Sequence, residues 1–278
     1  MIDLLRYPFM QHALLAGSLT ALGATLVGFF LINRGMTFAC HALPNIGFAG
    51  AAGAVLLGFE PVLGLFAFIL IAALVFAFLG GEHRERDIGI GVVMSLALGL
   101  GVFFLASYSG YAQRVYAILF GSILGISAKQ VLASAILTLI TLAAMTILFR
   151  PLLFYTVDPE QAAARGLPIA FLNVVFMVLV AVTVTTSVQV TGALLVFALM
   201  VAPPAIAMRL SRRPGAIVAL ALVLGQIIVI MSILMAGMSA SWPVSFFVAA
   251  LSFLGYAGLR TVQALGSTFG REGRTWKA

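Results

Sequence analysis

Apolar residues in this chain run on for about twenty positions at a time, broken only by short clusters of charge, glycine and proline. Runs of this length match the ~20 residues a helix needs to cross the hydrocarbon of a bilayer. The pattern predicts about nine such spans, over 9–32, 36–58, 61–80, 88–108, 130–149, 169–188, 191–208, 215–236 and 244–260, with eight as the alternative count. Helices are the expected form, because backbone groups in lipid must pair within their own segment. The alternating ten-residue segments of a membrane β-barrel are missing. The expected fold class is therefore all-α: a polytopic transmembrane helical bundle. It comprises one membrane domain, 1–266, and a flexible basic tail, 267–278.

Composition agrees. Of 278 residues, 63% are hydrophobic and 8% charged, against about 25% charged in a soluble domain. So few polar side chains cannot cover a water-soluble surface of this size. No segment has the pattern of a cleaved signal peptide; the first apolar stretch, Phe9–Ile32, is too long and lacks a small-residue cleavage site. The net charge of +7 does not point to nucleic acid, because the basic residues are scattered between apolar runs and form no patch. The single cysteine, Cys40, excludes an intrachain disulfide.

Lysine and arginine set the expected orientation. With the C-terminus placed in the cytoplasm, the inner side holds Arg34, Arg84, Arg86, Arg150, Arg165, Arg209, Arg212, Arg213, Arg260, Arg271, Arg274 and Lys277. The outer side holds Arg6, Arg114 and Lys129, a bias of twelve to three. This favours an odd number of spans with the N-terminus outside.

Two connections stand out. Ser109–Gln130 is semi-apolar and too short for a loop plus a full span, so a short helix at the outer surface is expected. Pro151–Pro168 contains Asp158-Pro159-Glu160 and Gly166. Asp158 suits an N-cap, Pro159 the first helical position and Gly166 the C-terminal stop, which predicts a helix of about two turns in the inner loop.

Polar groups inside a membrane are costly and usually face a bundle interior or a wet path. In the second span His41 and Asn45 are four apart, on one helix face beside Cys40, and Pro44 between them frees a backbone carbonyl. Either these residues line a translocation path, or His41 is a structural histidine bonded to a neighbouring helix. The seventh span carries Gly192 and, near its inner end, Pro203-Pro204. The double proline is expected to break or kink the helix, as an inner gate or as a fixed bend. Glu82-His83-Arg84-Glu85-Arg86-Asp87 reads as a solvated mixed-charge loop, with metal binding at His83 the sharper alternative. His12 reads as an interfacial residue, and the dispersed methionines as packing residues. No phosphate-binding G-x-x-x-x-G-K-[ST] loop occurs, so this chain does not itself hold ATP in that way, and no protease or esterase motif occurs.

Three segments together resemble the permease subunits of zinc and manganese ABC importers. Val188-Gln189-Val190-Thr191-Gly192-Ala193-Leu194-Leu195-Val196-Phe197-Ala198-Leu199-Met200-Val201-Ala202-Pro203-Pro204-Ala205 is similar to the family's VGxLLVxALLxxPAA segment. Asp158-Pro159-Glu160, with Ala163 and Gly166, is similar to its inner loop, and Leu119-Phe120-Gly121-Ser122-Ile123-Leu124 to its L-F-G-D-x-L outer stretch. The resemblance implies a multi-pass protein of the bacterial inner membrane, paired with a second copy of itself. It also implies cytoplasmic ATPase subunits that hold the ATP, an extracytoplasmic solute-binding protein, and a divalent metal ion as cargo. The chain itself is expected to be no enzyme and to hold no cofactor. The 158–166 helix becomes the coupling helix that docks on the ATPase. One departure matters. Where the family has Asp-Ala-Leu-Ser-His, this chain has His41-Ala42-Leu43-Pro44-Asn45, so the site loses its carboxylate. Histidine nitrogen suits zinc better than manganese, which makes zinc the expected cargo and manganese the next; loss of the carboxylate equally suits a permease of the same architecture for a non-metal solute, and the remaining alternative is an unrelated membrane scaffold or enzyme.

Overall fold

A segment crossing hydrocarbon keeps its backbone groups paired most simply as a helix, and the chain is built that way. The computed structural model describes residues 7–79, 83–108, 126–193, 196–239 and 242–272; the side chains of His83 and of 265–272 lie outside the description. The helices are α1 (Pro8–Asn33), α2 (Thr37–Leu56), α3 (Pro61–Phe78), α4 (His83–Ser107), α5 (Ala128–Val157), α6 (Pro159–Ala164), α7 (Ile169–Thr191), α8 (Val196–Leu210), α9 (Pro214–Met238) and α10 (Val244–Glu272). The start signals are local: Pro8, Pro61, Pro159 and Pro214 open their helices, where a missing N–H costs nothing. Ser127 and Gln130 close a reciprocal capping box on α5, with bonds of 3.3 and 2.9 Å.

Among the described residues, eight helices are long and apolar enough to span a membrane, and α8 is a shorter apolar helix of 15 residues. Gly192, at φ 84°, ends α7, and residues 194–195 between it and α8 lie outside the described residues.

Three other expectations are revised. Of the break or kink expected at Pro203-Pro204, the break does not occur: α8 runs through both prolines to Leu210. Likewise α5 continues through Pro151 to Val157, eight residues beyond the predicted end of its span. Residues 83–87 of the mixed-charge segment are helical, part of α4, rather than a loop; Glu82 lies outside the described residues. The outer surface helix expected within Ser109–Gln130 falls mostly outside the described residues, which omit 109–125; residues 128–130 already belong to α5. Helix α10 carries on through Glu272.

Burial orders the bundle. In α1 and α2, 72% and 78% of the span is buried, against 17–22% in α4, α5 and α10. Helix α1 packs against α5, α7, α8 and α9, while α2 packs on α3 and α4; α3 with α7, and α2 with α8, join the two groups. Phe30 of α1 sits at the centre, edge-on to Phe149 of α5 at 5.5 Å and to Phe176 of α7 at 6.2 Å.

Lipid is as apolar as leucine, so helices in it associate through close packing more than through water exclusion. Glycine permits the closest approaches here. Gly50 of α2 and Gly64 of α3 each face the other's carbonyl with no room for a Cβ. Gly28 of α1 abuts the carbonyl of Met200, which is the acceptor that Pro204 leaves without its helical N–H partner. The proline in α8 and the glycine in α1 are thus two halves of one contact, and the unbroken course of α8 depends on it.

Adding one methyl group should separate this contact from helix propensity. Gly28→Ala is expected to cost about 1–3 kcal/mol through overpacking and to lower the detergent-solubilised unfolding temperature. Gly99→Ala, whose Cβ would meet nothing within 4 Å, is expected to leave it unchanged or slightly raised; equal losses in both would remove the special role of Gly28.

Candidate functional site

Pro44 lies inside α2, and its ring is buried in the bundle. Pro44 has no N–H for the Cys40 carbonyl, so a backbone oxygen is freed one turn before it. Asn45 is 9% exposed and donates its Nδ2 to the His41 carbonyl at 2.7 Å. Cys40 is fully buried, and its Sγ lies 3.9 Å from the Met36 carbonyl of the previous turn. His41 differs from both: its side chain is exposed. Its ring lies edge-on to Phe197 of α8 at 5.6 Å and tilted to Phe38 at 6.3 Å.

The predicted trio therefore divides. His41 occupies an open aromatic niche where α2 meets α8, Asn45 backs it from the buried side, and Cys40 faces the core. Among the described residues no three His, Cys, Asp or Glu side chains come together as a metal cluster. The His41 imidazole, the Asn45 amide and the carbonyls freed by Pro44, Pro203 and Pro204 are the polar groups these two helices carry near that niche, with Thr37, Cys40 and Arg209 elsewhere on them. Such a set can pass a cation with brief contacts but cannot cage one. Phe197 was not singled out in the sequence; as one apolar residue among many it carried no signal until α8 was placed against α2.

The second candidate is α6, six residues joined to the bundle by short turns. Asp158 caps it, with Oδ1 accepting from the Gln161 N–H at 3.0 Å. Gly166, at φ 75°, ends it, donating to the Ala163 carbonyl at 2.9 Å. Ala162 is fully buried and anchors the helix, while Pro159, Glu160 and Ala163 are exposed. Arg165 lies over the Phe154 ring at 5.0 Å, tying the turn back to α5. The result is a small, rigid, capped knob with an outward face containing Glu160 and Ala163. Gly192 and the two prolines belong elsewhere: Gly192 separates α7 from α8, and both prolines are buried in α8. His12 is half-buried, and its Nδ1 lies 3.2 Å from the Ile126 carbonyl.

Residues 6–256 match the ABC 3 transport family. The chain belongs to that family. Its fold is shared with a solved structure, PsaBC from Streptococcus pneumoniae in complex with Fab, at a TM-score of 0.82 and 25% identity over 93% of each chain. Among characterised relatives it is 29% identical to the manganese transport system membrane protein MntC of Halalkalibacterium halodurans, over 81% of this chain and 77% of that protein. It is 31% identical to the chelated iron transport system membrane protein YfeD of Yersinia pestis, over 74% of this chain and 69% of that protein. Membership makes the chain a transporter's membrane subunit and explains why it has no nucleotide-binding loop of its own.

The cap on α6 can be tested directly. Asp158→Ala is expected to cost about 1 kcal/mol of local helix stability. Amide hydrogen exchange should accelerate by about fivefold across 159–165 while α1 and α2 stay protected; unchanged exchange at α6 would mean the helix is held by its neighbours alone.

Proposed function

We propose that this chain is the permease subunit of an ATP-driven importer of a divalent transition-metal ion in a bacterial inner membrane. It works as a homodimer, with ATPase subunits on the face bearing α6 and the C-terminus, and with a solute-binding protein delivering cargo on the opposite face. The observation that carries the reading is the similarity along most of the chain to proteins named as manganese and chelated-iron permeases. The geometry of α6 suits the ATPase contact, since a capped exposed helix transmits a push without fraying.

The path passes the exposed face of His41. The family's carboxylate is absent there, and imidazole nitrogen with amide and backbone oxygen replaces it. Nitrogen favours zinc over manganese, so zinc is the first cargo to test and manganese the second. Asp158, Pro159, Glu160, Ala163 and Gly166 form the coupling element. Pro203 and Pro204 hold α8 in a fixed path, with Gly192 as the swivel between α7 and α8. A second reading rests on the missing carboxylate: with no negative charge beside His41, the cargo could be a solute whose charge is already neutralised, such as a chelated metal.

Uptake by cells expressing the chain with its ATPase and binding protein distinguishes these. ATP-dependent accumulation of zinc or manganese, reduced about tenfold or more in His41→Ala with the complex still assembled, is the expected result. Accumulation of neither free ion by a complex that hydrolyses ATP would overturn the free-metal reading. Normal uptake in His41→Ala would reduce His41 to a packing residue. Glu160→Arg is expected to leave folding intact and to lose ATPase association, as reversed charge on the exposed face of α6 requires; retained association and uptake would remove the coupling role.

A further inference from the structure

At the end of the bundle that carries α6, a cavity of 560 Å³ lies among α3, α4, α5, α7 and the α1–α2 turn. Two arginines line it. Arg34 lies between the rings of Tyr155 and Phe176, 4.8 Å from each centroid, and one amino group donates to Asn173 Oδ1 at 2.6 Å. Arg86 spends one amino group on the carbonyls of Arg34 and Gly35, at 3.0 Å each. Both guanidinium groups are thereby held in position, yet each keeps a buried N–H without a partner: Arg34 Nη1 and Arg86 Nε. Burial, with repulsion from Arg86, draws the Arg34 guanidinium below its ordinary range.

Neither arginine has a carboxylate partner among the described residues. Asp87, next to Arg86 on α4, does not line the cavity, and its own Oδ1 is buried and unpartnered. Two cations lining one cavity are an unfavourable arrangement until an anion arrives. The lining is also two-sided: Arg34, Arg86 and Asn173 supply polar atoms, while Phe78, 72% exposed, and Leu79 supply an apolar lip. A free anion has no use for that lip, whereas a phosphate carrying acyl chains uses both.

We propose that this cavity binds the phosphate of an anionic phospholipid, with the headgroup on Arg34 and Arg86 and an acyl chain along Phe78. Guanidinium geometry matches phosphate oxygens, and the cavity volume lies in the ~300–1,000 Å³ range of small-ligand sites. Basic pockets between membrane helices on the cytoplasmic side are suited to anionic headgroups. The position gives the lipid a consequence. Tyr155 lies three residues before Asp158 and Ile169 three after Gly166, so the bound phosphate would tie together the two helices from which α6 hangs.

The test is lipid retention by the intact permease–ATPase complex in mild detergent, read by native mass spectrometry with phosphatidylglycerol and phosphatidylcholine as probes. Phosphatidylglycerol should be retained about tenfold over phosphatidylcholine, equivalent to ~1.4 kcal/mol. Arg86→Gln should lose that preference. Ala170→Glu, which keeps both arginines and places a carboxylate at an exposed lining position, should lose it while the complex stays assembled. Equal retention of the two lipids, or a preference unchanged in both variants, would overturn the proposal. So would displacement of phosphatidylglycerol by millimolar inorganic phosphate, which would assign the cavity to a free anion. The readout involves no transport, so a failed uptake assay would count against the cargo reading and not against this site.

Discussion

The bundle depends on backbone carbonyls that proline leaves unpaired inside a medium that offers no water to satisfy them. Pro44, Pro203 and Pro204 each remove an N–H from a buried helix, and in hydrocarbon an unsatisfied carbonyl costs several kcal/mol. The Met200 carbonyl lies against the bare backbone of Gly28 on α1, where no Cβ stands in its way. That contact brings α8 onto α1, and α8 in turn brings Phe197 onto His41 of α2. The only exposed member of the predicted path trio is therefore positioned by a chain of packing that begins with a missing hydrogen-bond donor.

The same logic separates the rigid from the working parts. Helices α1 and α2 are buried along most of their length, whereas α4, α5 and α10 turn most of theirs outward. The candidate residues lie toward helix ends: His41 near the start of α2, and α6 beyond the end of α5. Because α5 runs through Pro151 to Val157, it is a 30-residue helix of roughly 45 Å, longer than the ~30 Å hydrocarbon core, and α6 follows at its far end with Glu160 exposed.

Much of this was legible in the sequence, for reasons that differ by element. Span-length apolar runs gave eight of the membrane helices, since hydropathy over ~20 residues is a strong signal. The cap, proline and glycine of α6 were readable because each acts within four residues. The course of α8 was not readable: whether a double proline breaks a helix depends on what receives the freed carbonyls, and Gly28 is 172 positions away from Met200 in the chain. The site was half legible. Spacing placed His41 and Asn45 on one face, but it could not show that Asn45 would turn to its own helix, that Cys40 would face the core, or that Arg34 and Arg86 would share a cavity. Those are facts of tertiary packing, in which a residue's role follows from neighbours distant in sequence.

The central claim is that cargo metal meets the imidazole of His41 on its way through the bundle. The most direct measurement is X-ray absorption on zinc held by the assembled complex with its ATPase arrested before hydrolysis. The account expects a nitrogen scatterer at about 2.0–2.1 Å with imidazole multiple scattering, lost in His41→Gln without loss of assembly. Zinc bound with oxygen scatterers alone, or a spectrum unchanged in His41→Gln, would contradict it.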